Sequence, residues 1–233
     1  MMHKHLKKWV IVAFTLLSLN SFGQIDENQT GAWYMYFWNT TLKDGPWGFQ
    51  GDVQHRNWDI IGDLEQLLLR GGLTYQPQNT QVKLTLGYAF ISTGEFGSGD
   101  ATTQESRIYQ EALLNQKVGG RLYVTHRFRY EQRFVEDQDF RTRLRYNLFL
   151  NLPLNRKDLQ PGAVYLAFYN ELFVNGQRSI GEDREVQIFD RNRTYGALGY
   201  SVAKGLRVQA GFMQQITDNW EKGQIQLSAH HTF

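Results

Sequence analysis

Residues 121–150 alternate over two long runs, and that pattern constrains the chain more than anything else in it. From Leu122 every second residue reads Leu122, Val124, His126, Phe128, Tyr130. The other parity reads Tyr123, Thr125, Arg127, Arg129, Glu131, Arg133. After a polar break at 135–139 the pattern returns as Phe140, Thr142, Leu144, Tyr146, Leu148, Leu150 against Arg141, Arg143, Arg145, Asn147. Side chains on a strand point to opposite faces with period 2, so the stretch predicts two strands around a short connection. One face is apolar and the other densely cationic.

The first 23 residues read as a cleaved segment rather than as part of the fold. Lys4, Lys7 and Lys8 precede an apolar run from Trp9 to Leu19, and the small residues Ser21 and Gly23 follow. This is the three-part pattern of a secretory signal peptide, with cleavage expected after Gly23. The run is too short for a spanning helix, which needs ~20 residues. Those three lysines are part of the formal +2, so residues 24–233 sit at −1. A near-neutral chain with interspersed signs gives no case for nucleic-acid binding. There is no cysteine, so disulfides and thiolate metal sites are excluded, and no cofactor or metal ligand set is expected.

Alternation recurs along the whole remainder. Strands are expected at about 31–41, 46–58, 64–76, 81–92, 105–116, 121–134, 139–151, 162–174, 187–200, 206–217 and 223–233. Tight turns at 77–80, 117–120 and 203–205 contrast with longer polar connections at 93–104 and 175–186. Short turns on one rim and long loops on the other characterise outer-membrane barrels. The expected fold is therefore all-β, a transmembrane antiparallel up-and-down barrel filling 24–233. Bacterial single-chain barrels have even strand numbers, so twelve strands are expected, with ten as the alternative.

The same alternation also fits a soluble exported ligand-binding barrel with an apolar interior. Three features favour the membrane. The strands are long enough for a tilted crossing of ~9–11 residues. Their apolar faces are too bulky for a small barrel's interior. The chain ends at Phe233 in an alternating strand, with Ile225, Leu227, Ala229 and His231 on the same face. A terminal aromatic on such a strand resembles the signal read by outer-membrane assembly machinery. In that orientation Arg127, Arg129, Arg141, Arg143 and Arg145 face the lumen. Turning all five to lipid would cost roughly 10 kcal/mol or more. Glu111, Glu131, Glu171, Arg191 and Arg193 follow the same parity inward.

Two roles fit a narrow Arg/Glu lumen. It is either an interdigitated structural plug, as fork-shaped guanidinium–carboxylate pairing favours, or a narrow anion-selective pathway for a small anionic solute. An enzyme is a third reading, since outer-membrane lipid hydrolases exist. Its only nucleophile–base candidate is Ser228 with His230, two apart on the last strand and expected near the periplasmic end. His55 is expected to lean inward near the outer rim. His230 and His231 point to opposite faces, a poor metal clamp. Trp33, Tyr34, Tyr36, Trp38, Trp47 and Trp58 are expected at the membrane–water interfaces.

The run His126-Arg127-Phe128-Arg129-Tyr130-Glu131-Gln132-Arg133-Phe134 is followed by Arg141-x-Arg143-Leu144-Arg145-Tyr146, by Asn170-Glu171-Leu172-Phe173 and by Asn192-Arg193. Together these resemble the outer-membrane barrel family called domain of unknown function 2490. The resemblance implies an integral outer-membrane barrel of a Gram-negative bacterium, porin-like in form, with membrane lipids around it and no assigned activity or catalytic residue. It also implies that Arg129, Glu131, Arg133, Arg143, Arg145, Glu171 and Arg193 act as one luminal cluster, joined by parity to Arg127 and Arg141.

Overall fold

The computed structural model describes residues 25–43, 45–97 and 99–233. The expected signal peptide, 1–23, lies outside them. Eleven strands follow one another: β1 Gly31–Thr41, β2 Trp47–Asn57, β3 Leu64–Tyr75, β4 Val82–Gly94, β5 Thr102–Val118, β6 Leu122–Val135, β7 Arg141–Pro153, β8 Val164–Asn175, β9 Phe189–Ala203, β10 Leu206–Thr217 and β11 Glu221–Thr232. Each overlaps an expected strand, with ends shifted by no more than three residues. Neighbours in sequence pair antiparallel, and the sheet closes into a barrel.

Closure corrects the expectation of twelve or ten strands. The described residues hold eleven, and β1 pairs with β11 in parallel, Trp33 opposite Gln226 and Phe37 opposite His230. An odd number of antiparallel strands leaves the first and last running the same way, so only a parallel seam can join them. Consequently β1 begins at one rim and β11 ends at the other. Connections 58–63, 95–101, 136–140, 176–188 and 218–220 form the first, or loop, rim. Connections 42–46, 76–81, 119–121, 154–163 and 204–205 form the second, or turn, rim. The rhythm is imperfect, because 154–163 is long and 218–220 short.

The hydrogen-bond rows climb around the wall. The row through Trp33 reaches Thr103 by way of β2–β4. Followed the other way, through β11–β6, it returns to β5 at Lys117. The stagger of 14 residues (117 − 103) fits strands tilted at about 40°. Such a tilt narrows each strand's rise but leaves the wall tall enough for a bilayer core.

The barrel is built inside out relative to a soluble domain. Leu86, Tyr88, Phe128, Leu144, Leu198 and Phe212 are exposed on the outer wall, while Arg129, Glu131, Arg143 and Glu171 are buried. Tyrosines lie across inward glycines: a Cβ added at Gly87 would overlap the Tyr109 ring, and one at Gly199 the Tyr165 ring. Both tyrosines are among the most buried side chains. We therefore expect Gly87→Ala to destabilise the barrel by about 1–3 kcal/mol through overpacking. Urea unfolding from lipid vesicles checks this, the midpoint falling while the slope is unchanged.

Candidate functional site

The lumen derives its character from two hairpins, β5–β6 and β6–β7, whose inward parity is nearly all charged in the half toward the loop rim. Arg107, Arg133 and Arg141 are direct cross-strand partners in one row, and Arg129 faces Arg145 in another. Like charges placed opposite each other repel, so this wall needs carboxylates between the guanidinium groups. Glu105 lies between Arg107 and Arg133, at 2.6 Å from each. Glu131 holds the centre. It is 1% exposed and lies within 4 Å of four arginines. Arg143 Nε and Nη2 donate to its Oε2 at 2.9 and 2.7 Å, and Arg145 Nη1 donates to Oε1 at 2.6 Å.

From Glu131 the pairs run outward in two directions. Arg143 also reaches Asp190 at 2.7 Å, and Arg145 shares Glu171 with Arg127, each at 2.6 Å. Arg129 donates through Nε to Glu111 at 2.7 Å. Ion pairs thus join Arg127, Arg129, Glu131, Arg133, Arg143, Arg145 and Glu171 into one network. Arg141 and Arg193 are buried with them but form no ion pair among the described residues.

Aromatic faces take up part of the surplus cation. The ring of buried Phe173 has the guanidinium groups of Arg145, Arg193 and Arg143 at 4.4, 4.8 and 5.2 Å from its centroid. The Trp33 indole lies under Arg56 at 3.8 Å and under Arg193 at 4.7 Å. Ring quadrupoles attract such cations most strongly where water is excluded. Trp33 also donates its indole N–H to Glu65 at 2.7 Å. Trp33 is therefore a luminal residue, which corrects its expected interfacial place. Trp58 is buried too, donating to the Gly94 carbonyl. Tyr34, Tyr36 and Trp47 are exposed.

The cluster expected from the sequence omits several members: Asp52, Arg56, Glu65, Arg70, Glu105, Arg107 and Asp190. Arg70 Nη2 pairs with Asp52 at 2.9 Å. Glu65 and Asp190 sit where register slips. Arg56 faces Gln66 while Asn57 faces Leu64, and Phe173 faces Arg191 while Val174 faces Phe189. Each acid is thus the extra residue of a bulge, and a bulge re-aims a side chain that simple alternation would place elsewhere.

A cavity of about 340 Å³ occupies the lumen below this network. Its lining includes Asn39, Asn151, Arg207 and His230, which lie toward the turn rim, and Arg193 and Trp33 at its ceiling. At that rim, in the 154–163 connection, Asp158 accepts hydrogen bonds from Lys117 and from Tyr123 Oη, which hold its carboxyl below the usual carboxylate pKa. Loop 176–188 folds against the opposite end, the Ile180 carbonyl accepting from Asp139 N at 2.9 Å.

Ser228 Oγ and His230 Nε2 do meet, at 3.0 Å. The imidazole stacks on Phe37 at 4.9 Å, and no carboxylate bonds its other nitrogen among the described residues. A base without an orienting third group is a poor activator of serine. His231 lies on the outer face against Tyr36 Oη, and His126 against Tyr146 Oη. His55 is exposed on the outer parity, not inward as expected. Among the described residues no group of three or more His, Cys, Asp or Glu could hold a metal ion. The last strand ends beside Phe233, which is 68% exposed, consistent with a C-terminal assembly signal.

A family model described as "Protein of unknown function (DUF2490)" matches residues 30–226. No curated protein and no solved structure matches. The family and the closed barrel are consistent with an outer-membrane protein.

Proposed function

The chain belongs to the DUF2490 family, and from that premise we propose that it is an integral outer-membrane barrel whose lumen is sealed by its own ion-pair network. The observation that carries the reading is the inversion of the wall, with Glu131 among four arginines inside and a belt of bulky apolar side chains outside. Buried charge on one side and exposed Leu, Phe and Tyr on the other is stable only where the outer solvent is lipid. In this reading residues 1–23 direct export and the turn rim faces the periplasm. The strand ending at Phe233 is then presented to the assembly machinery.

The plug has a physical basis. Guanidinium forks held by two or three carboxylate or ring partners lose little further entropy, and they fill an eleven-stranded lumen with fixed atoms. Bonds also tie distant strands, as Gln50 of β2 donates to Glu111 of β5 at 2.8 Å. Refolded protein should therefore migrate differently before and after boiling, and should insert into planar bilayers without steady conductance steps. Anion-selective steps that weaken in Arg143→Ala would overturn the sealed reading in favour of a narrow pathway.

A further inference from the structure

The cavity under the plug carries a charge imbalance that the protein itself does not cancel. Seven arginines and three carboxylates line it. All three carboxylates are already engaged: Asp52 by Arg70, Glu111 by Arg129, and Glu171 by Arg127 and Arg145. Among the described residues Arg56, Arg193 and Arg207 form no ion pair. Burying charge without a partner is costly, and the cost falls when a counter-ion shares the site.

Arg193 shows where that counter-ion would sit. It is 5% exposed, and only its Nε is used, donating to Gln215 Oε1 at 2.6 Å. Among the described residues its terminal nitrogens have no acceptor, and they keep some exposed surface. Stacking on Trp33 and Phe173 fixes the guanidinium plane at the cavity ceiling. Arg207, whose side chain forms no hydrogen bond among the described residues, lines the cavity near the turn rim. Between them the lining sets aromatic rings beside amide side chains. Tyr169 and Tyr195 stack at 4.7 Å, their hydroxyls turned to Gln226 and Gln209, and Phe37 and Phe149 also line the space.

We propose that this cavity is a blind binding site, open toward the turn rim, for a small organic anion whose carboxylate or phosphate meets Arg193 and whose flat apolar body lies along Tyr169 and Tyr195. Its size is at the low end for small-molecule sites. The closed wall separates it from lipid, so the ligand is a soluble solute and not a membrane headgroup. The proposal rests on the sealed-lumen reading only in that the plug forms its ceiling.

Calorimetric titration of the full refolded barrel in zwitterionic detergent tests it, with phenyl phosphate, benzoate, inorganic phosphate and benzylamine as probes. Phenyl phosphate or benzoate should bind, inorganic phosphate more weakly, and benzylamine not at all. Arg193→Gln should weaken the aryl anion at least tenfold while heat-modifiable migration persists. Arg207→Gln, at the rim, should weaken it less and serves if the first variant fails to fold. Absence of binding by either aryl anion overturns the proposal, as does unchanged affinity in both variants. Inorganic phosphate binding as tightly as phenyl phosphate removes the aromatic half of the site. A barrel that conducts yet still binds phenyl phosphate sinks the sealed lumen and leaves the pocket standing.

Discussion

Glu131→Gln should cost the barrel about 3–5 kcal/mol, the range for removing one partner of a buried ion pair. The substitution keeps the shape of the side chain, removes its charge and turns one of its two accepting oxygens into an NH2 donor facing an arginine. Arg143 and Arg145 keep a second acid each, Asp190 and Glu171, so the loss falls toward the lower end of that range. Arg107 and Arg129 each lose a carboxylate 3.8 Å away, and each retains one, Glu105 and Glu111. The measurement is the urea midpoint of the refolded protein in vesicles. Adding Arg143→Gln should recover part of the loss, because the cation that donates twice to residue 131 is then gone, while Asp190 keeps Arg191 at 3.3 Å. A coupling of at least about 1 kcal/mol between the two sites is expected for groups in one network. Strict additivity would mean that the cluster is a set of independent, solvated pairs, and the plug would lose its physical basis.

How far the chain disclosed this arrangement varies by level. Strand positions were legible because period-2 alternation is a local property, and β6 and β7 carry it almost without interruption. The facing of Arg127 through Arg145 followed, since lipid penalises the opposite register. Closure was not legible. Nothing in the alternation of β1 or β11 states whether the two pair with each other, and the even-number rule pointed the wrong way. Strand β1 also carries large side chains on both parities, Trp33, Met35 and Phe37 against Tyr34, Tyr36 and Trp38. No hydropathy argument assigns its faces, which is why the sequence points Trp33 to the interface rather than to the lumen. The bulge acids Glu65 and Asp190 were out of reach for a different reason. An inserted residue breaks the parity that the inference depends on. Finally, the inward glutamates look, in a residue count, as though they nearly balance the arginines. Only spatial placement shows the acids engaged by other arginines, and Arg56, Arg193 and Arg207 without an ion pair among the described residues.

Phe212→Arg should separate a membrane wall from a soluble one more sharply than any loss of function could. Phe212 lies midway along β10, is 50% exposed on the outer face, and packs over Gly223 of the neighbouring strand. An arginine on the lipid face near the bilayer midplane costs ~2–4 kcal/mol. The same change on a water-facing wall removes an exposed aromatic and adds a solvated charge, usually within about 0.5 kcal/mol of neutral. Lost packing over Gly223 would blur the comparison, so Phe212→Leu serves as the control, reporting packing without charge. The expected result is a urea midpoint in vesicles that drops by the larger amount for Arg and only slightly for Leu. A companion change near a rim, Val202→Arg, should cost less, because the penalty falls to about 0–1 kcal/mol toward the interface. Depth dependence of this kind has no counterpart in a soluble barrel. Equal, small effects at Phe212 and Val202 would return the molecule to the exported soluble class, with its arginine lumen unexplained by any surrounding lipid.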